Sequence, residues 1–387
     1  MNIGKNIVGS MRNINGLEKK KIGIITFHRA HNYGAFLQAY ALQIYLLKNG
    51  FETEIIDYRC KSIEEEYFIF PSKNILQNCK IVNKTIIYIW SLMLYIKRKR
   101  RYDSFERDIK ENMLLSEKII SYNSTIWSKY DAIVFGSDQI WNVDITKGVD
   151  SVFWGHIAYS GLKVSYAASF GDEYSIIEKQ RDNTKILLSK FNRVGVRENS
   201  AKVMLNKIGI DAVVDIDPTL LLSKDDWFER VNKINIGIHR PYVLLYRMKF
   251  SDQALQIAKK IAKDYKMELV EIASSVKINN VFAISHISPI EFVAYLKNAS
   301  YIVTSSFHGT AFAMNFHKSF YSVYNNESGK SKRIEDLLKA GCLEERYISS
   351  INEITKKELD FKPFDNWIDL NKNNLCNDLE EMLLQRR

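Results

Sequence analysis

KIGIITFHRAHNYGAFLQAYALQIYLLKNGFETEIIDY, residues 21–58, decides the fold. The apolar run Lys21 to Phe27 predicts a strand, a helix follows from near Gly34, and Thr53 to Tyr58 predicts a second strand. Leu37, Tyr40, Ala41, Tyr45 and Leu47 give the helix its period, and Gly50 stands where a helix C-terminus favours a left-handed residue. Strand, helix and strand in such short compass make a β-α-β unit, which requires parallel strands and marks a doubly wound α/β fold.

The alternation continues outward from this unit. Residues 61–128 are helical and charged and read as an insertion, after which strands are expected at Tyr130 to Phe135, Val164 to Ala168, Arg193 to Val196 and Ala212 to Ile216. A second series follows the polar stretch Lys224 to Arg240. It comprises strand Pro241 to Arg247, helix Asp252 to Tyr265, strand Met267 to Ile272, helix Pro289 to Asn298, strand Tyr301 to Thr304, helix Gly309 to Phe316 and strand Ser319 to Tyr324. The expected organisation is an extension (1–20), a first Rossmann-like domain (21–228), a second (240–365) and a C-terminal helix (366–387, its core Asn373 to Arg387). Two parallel sheets facing a cleft are the expected architecture.

A chain of 387 residues suits two cores, and 46% hydrophobic with 26% charged residues excludes disordered and fibrous classes. Cys60, Cys79, Cys342 and Cys376 lack zinc or disulfide spacing and read as reduced thiols; with no apolar segment in the first 20 residues, a cytoplasmic protein is expected. The net charge of +10 suits an anionic substrate, a lipid surface or nucleic acid. Its densest run, Lys97 to Arg101, follows the apolar and aromatic segment Thr85 to Ile96, which is shorter than the roughly 20 residues a membrane span needs. Residues 85–101 therefore read either as a helix lying on the anionic inner face of the membrane or as a buried helix with a solvated basic end.

Four strand-to-helix loops carry the residues that suit chemistry. In Phe27 to Gly34, Gly34 permits close approach of a ligand, and Asn32 either caps the helix or binds a substrate hydroxyl. In Gly136 to Asn142, Asp138, Gln139 and Trp141 suit a sugar, with Asp138 as general base or as a helix cap. In Val196 to Ser200, Arg197 offers a fork for carboxylate or phosphate, or pairs with Glu198. In Thr304 to Thr310, His308 can move a proton near neutral pH while the amides of Gly309 and Thr310 hold phosphate; the bland reading is a structural histidine. Asp215 to Pro218 reads as a structural turn.

TFHRAHNYGAFLQAYALQ, FGSDQIWN, SYAASFG, VREN, DPTLLL and SSFHGTAFA, in this order from about Lys21 to about Arg346, resemble motifs of the bacterial polysaccharide pyruvyl transferases. The resemblance implies an architecture like that of the two-Rossmann-domain (GT-B) glycosyltransferases, with the reaction in the interdomain cleft. It implies transfer of a pyruvyl group from phosphoenolpyruvate to a sugar of a cell-surface polysaccharide or its lipid-linked precursor. The product would be a pyruvate ketal, formed with no metal, no cofactor and no nucleic acid. His308 would act as acid, and Asp138 would face the acceptor as its base. Arg197, Ser306, Gly309, Thr310 and Arg333 would face the donor, and His28, Asn32, Tyr33, Gly34, Gln139 and Trp141 the acceptor. One departure stands out: the family often has arginine two positions before this histidine, where this chain has Ser306. Arg333 or Lys330 would then supply the cation, and otherwise the donor would be a nucleotide-sugar or another anion. A non-catalytic basic protein binding membrane or nucleic acid is the remaining alternative.

Overall fold

The computed structural model describes residues 19–70, 87, 89, 91–171, 179–248, 252–276, 283–325, 329–355 and 357–385. Cys79, residues 85, 86, 88 and 90 of the segment Thr85 to Ile96, and most of the N-terminal extension lie outside these residues. Strands β1 (Lys21–Ile25), β2 (Glu52–Ile55), β3 (Ala132–Asp138), β4 (Leu162–Ala168), β5 (Arg193–Val196) and β6 (Val213–Val214) form one sheet, ordered β2-β1-β3-β4-β5-β6. A second sheet is ordered β11-β10-β9-β7-β8, from β7 (Tyr242–Arg247), β8 (Glu268–Ala273), β9 (Tyr301–Thr304), β10 (Ser319–Val323) and β11 (Tyr347–Ile348). Every pairing in both sheets is parallel. The α/β architecture with two parallel sheets is thus the one present.

Helix Tyr33–Lys48 begins at Asn32, whose side chain accepts from the amides of Gly34 and Ala35. It ends with Gly50 at φ 91°, the left-handed position that glycine tolerates. Its periodic apolar residues suggested one buried face, yet every residue from Tyr33 to Leu47 is buried. The helix lies between the halves: Tyr33 stacks on Phe292 at 4.5 Å, and Tyr40 packs against Trp227. One apolar cluster accordingly runs from Ile22 and Ile24 through this helix to Phe292, Ile302 and Phe312.

Helix Tyr95–Asn112, inside the expected insertion, is a second connection. Arg101 ends the basic run but is buried, 4.7 Å from the rings of Tyr33 and Phe105. It donates to the Tyr33 hydroxyl and the His31 carbonyl on one side, and to the carbonyls of Ser274 and Ser285 on the other. A buried guanidinium requires such saturation. The expectation of a wholly solvated or lipid-facing basic run therefore fails at Arg101.

Several boundaries also move. β3 continues through Gly136 and Ser137 to Asp138, where a loop was expected, and the last helix divides into Lys362–Asn371 and Asn374–Leu384. The final helix returns to the first sheet, burying Leu375, Leu379 and Leu383 and pairing Asp378 with Arg193.

Candidate active site

Chain connection reverses direction between β1 and β3 in one sheet and between β7 and β9 in the other. Such switch points leave a crevice at the carboxyl ends of the strands. Here the two crevices face each other and enclose a cavity of about 470 Å³. The first half lines it with Ala30, Asn32, Asp138 and Gln139, and the second with Met248, Ser306, Phe307, His308, Asn325, Lys330 and Arg333. Ile63, Glu66 and Tyr67, at the helix Lys61–Glu66, form a further wall. That wall was not anticipated, because a short charged helix in an insertion carries no chemical signature.

His308 lies in the first turn of helix Phe307–Asn315, two residues earlier than the expected helix start. Across the cleft it abuts Gly34: a Cβ built on that glycine would fall 2.0 Å from His308 Nδ1. Only glycine lets this ring meet this backbone. On its other side, His308 Nε2 is 3.6 Å from Asp217 Oδ2, just beyond hydrogen-bond length, and closes no hydrogen bond among the described residues. Asp217 also accepts from Arg197 Nη1 at 2.9 Å and from the amide and hydroxyl of Thr219. Burial opposes ionisation of Asp217, but the charges of His308 and Arg197 and the hydrogen bond from Thr219 outweigh it and hold the carboxyl well below its usual range.

Arg197 was expected toward a donor anion. Instead its side chain is 2% exposed, paired with Asp217 and Glu198 and lying over the Phe307 ring at 4.7 Å. Burial works against its charge, and Glu198, Asp217 and Asp138 together hold it more firmly protonated than an ordinary arginine. Arg197 thus stands behind His308 and outside the cavity lining. Its Nη2 and Glu198 Oε2 are buried with no hydrogen-bond partner among the described residues. Burial raises Glu198 above the usual carboxyl range despite the opposing pull of Arg197 and Arg333.

Ser306 is the N-cap of the His308 helix, accepting from the Gly309 amide, while the Thr310 amide returns to the Ser306 carbonyl. The Thr310 hydroxyl is occupied by Ser306 O and Ser322 Oγ. The expected phosphate cradle at Gly309 and Thr310 is therefore spent on capping. A helix leaves its earliest amides open, so Phe307 and His308 present the N–H groups that a ligand would meet. Lys330 and Arg333 both line the cavity, and Lys330 Nζ lies 5.1 Å above the Tyr324 ring and 5.5 Å above the Tyr347 ring.

On the first half, Asp138 faces the cavity at φ 71° and, among the described residues, accepts from the adjoining Gln139 amide and caps no helix. Gln139 accepts from Asn142, and Asn142 rather than Asp138 caps the following turn. Three expected acceptor residues lie elsewhere. His28 is fully buried between the Thr26 carbonyl and Asp57; Tyr33 is held by Phe292 and Arg101; and Trp141 is fully buried against Trp154 and Phe170, its indole N–H donating to Phe153 O. Each is an amphipathic side chain whose polar atom found a partner inside the fold. Asp217, read as part of a turn, was missed; its DPT sequence signals a cap, and only the fold brings it to His308. Among the described residues no group of histidine, cysteine, aspartate and glutamate is disposed to hold a metal ion.

Residues 32–327 match the family model for polysaccharide pyruvyl transferase. The chain belongs to that family. This transferase has no match among curated protein sequences. Solved structures with a similar fold include the UDP-GlcNAc 2-epimerase of Methanocaldococcus jannaschii, at 13% identity and a TM-score of 0.48, covering 94% of this chain and 100% of that one. The epimerase of Neisseria meningitidis gives 11%, 0.46, 95% and 100% by the same measures. The glycosyltransferase SnogD of Streptomyces nogalater gives 11%, 0.39, 95% and 100%.

Proposed function

We propose that this transferase moves a pyruvyl group from phosphoenolpyruvate to a saccharide, forming a cyclic ketal and releasing phosphate. The observation that carries the reading is His308 in the shared cavity, backed by ionised Asp217 and Arg197, with Asp138 across from it and Lys330 and Arg333 beside it. Protonation of the donor methylene by His308 makes C2 oxocarbenium-like. One sugar hydroxyl adds there and gives its proton to Asp138, phosphate departs with a proton, and a second hydroxyl closes the ketal as its own proton restores His308. Lys330, Arg333 and the first amides of the His308 helix suit the donor's carboxylate and phosphate. Asp138 and Gln139 suit the hydroxyls, with Asp138 as base. Arg333 thereby takes over the cationic role that Ser306 cannot fill. The acceptor we favour is a sugar of a lipid-linked precursor of a cell-surface polysaccharide.

The test is phosphate release from phosphoenolpyruvate with a panel of acceptor saccharides. His308→Ala is expected to lower the rate by about 10²- to 10⁴-fold, the usual contribution of a positioned acid or base. Absence of release in wild type as well would overturn the donor assignment. Thermal stabilisation by a nucleotide-sugar and not by phosphoenolpyruvate would then identify the other donor class.

A further inference from the structure

Ile89, Leu92, Met93 and Ile96 are four apolar residues close in sequence, Met93 and Ile96 standing on either side of Leu94, where helix Tyr95–Asn112 begins. All four are strongly exposed, at 54%, 70%, 71% and 64%. Phe68 and Phe70 are also exposed and lie close by: the Phe70 ring stacks on Tyr95 at 5.6 Å, and Arg98 donates to the Ile69 carbonyl and the Ser91 hydroxyl. An apolar patch of this kind is costly in water unless something covers it. Cations flank it in Lys97, Lys99 and Arg100; Lys99 is shared with Asp103. Tyr67, the residue before Phe68, lines the catalytic cavity. Ile96 rides on a firm support, because Arg101 and Phe105 of its helix, Tyr95–Asn112, are buried between the two halves.

We infer that this surface docks the enzyme on an anionic lipid bilayer, apolar side chains entering the headgroup boundary and the cations meeting lipid phosphates, with the cavity mouth held beside the membrane. Apolar insertion and electrostatic attraction reinforce one another in such contacts. None of the helices among the described residues is long and apolar enough to cross a membrane, so the contact is peripheral at this site. The inference deepens the proposed function by placing its acceptor at a lipid surface, and its test needs neither donor nor acceptor.

The full chain is mixed with liposomes of phosphatidylcholine alone, or with phosphatidylglycerol added, and floated through a density gradient. Wild type is expected to float with the anionic vesicles and to be released by high salt. The triple variant Leu92→Ser, Met93→Ser and Ile96→Ser is expected to bind about tenfold more weakly or less. A second variant, Lys97→Gln with Arg100→Gln, is expected to lose the preference for anionic vesicles while keeping the wild-type melting temperature. No flotation of wild type, or equal flotation of the triple variant, overturns the inference. So does a wild-type dimer in light scattering that the triple variant converts to monomer, since the patch would then be covered by a second copy. Flotation without phosphate release would leave the docking surface intact and discard only the reaction.

Discussion

At His308, the proposed acid role and the fold rest on the same neighbours. Asp217→Asn removes the carboxylate that faces Nε2 and pairs with Arg197, leaving a buried guanidinium with Glu198 as its remaining ionic partner. The expected outcome is a loss of about 3 kcal/mol in denaturant unfolding, together with a fall in kcat larger than the change in KM. Gly34→Ala acts by overpacking instead, because the new methyl would occupy space held by the His308 ring. Phosphate release should fall at least as steeply as unfolding stability, whose loss is about 1–3 kcal/mol. His31 gives the pH dependence: burial lowers its pKa below the usual 6.5, although Glu106 pulls the other way. The unfolded chain then binds the extra proton first, so stability falls as pH drops through about 6.5 toward the folded value, by at most about 1.4 kcal/mol per pH unit. Above about pH 7 this contribution is constant. His31→Gln should flatten the slope of melting temperature between pH 7 and pH 5.5 relative to wild type.

Among the elements, helix Tyr95–Asn112 carries more of the architecture than its charged sequence suggests. Arg101 serves two carbonyls of the second half as well as the Tyr33 hydroxyl and His31 carbonyl of the first. Arg101→Met keeps much of the stem but leaves those oxygens without their donor, so calorimetry should show a loss of about 2–4 kcal/mol. Helix Tyr33–Lys48 was legible in its start and stop, since Asn32 and Gly50 are local signals. Its burial on all sides was not, because periodicity reports the face turned to one neighbour and cannot register the other. The four loops were legible for the same local reason. Which of their side chains turn into the cleft was not: His28 and Trp141 have the polar and aromatic character expected of ligand contacts, and partners elsewhere in the fold claim them.

For the molecule as a whole, the shared apolar cluster and the return of the C-terminal helix to the first sheet join the halves thermodynamically. A single calorimetric transition is expected, with calorimetric and van't Hoff enthalpies in agreement. A chain ending at residue 372 would expose the partners of Leu375, Leu379 and Leu383 and release Arg193 from Asp378. It should melt markedly lower in its first sheet, not only at its C-terminus. The sequence by itself determined the α/β class, the parallel strands, the four strand-to-helix loops and the family resemblance, all of which rest on local periodicity, turn chemistry and short motifs. Tertiary structure alone decided that Asp217 and Arg197 stand behind His308, that Gly34 admits its ring, and that Lys330 and Arg333 reach the cavity. Those relations join residues far apart in the chain, and long-range packing, which places one sheet's switch point opposite the other's, is the physical event that creates them.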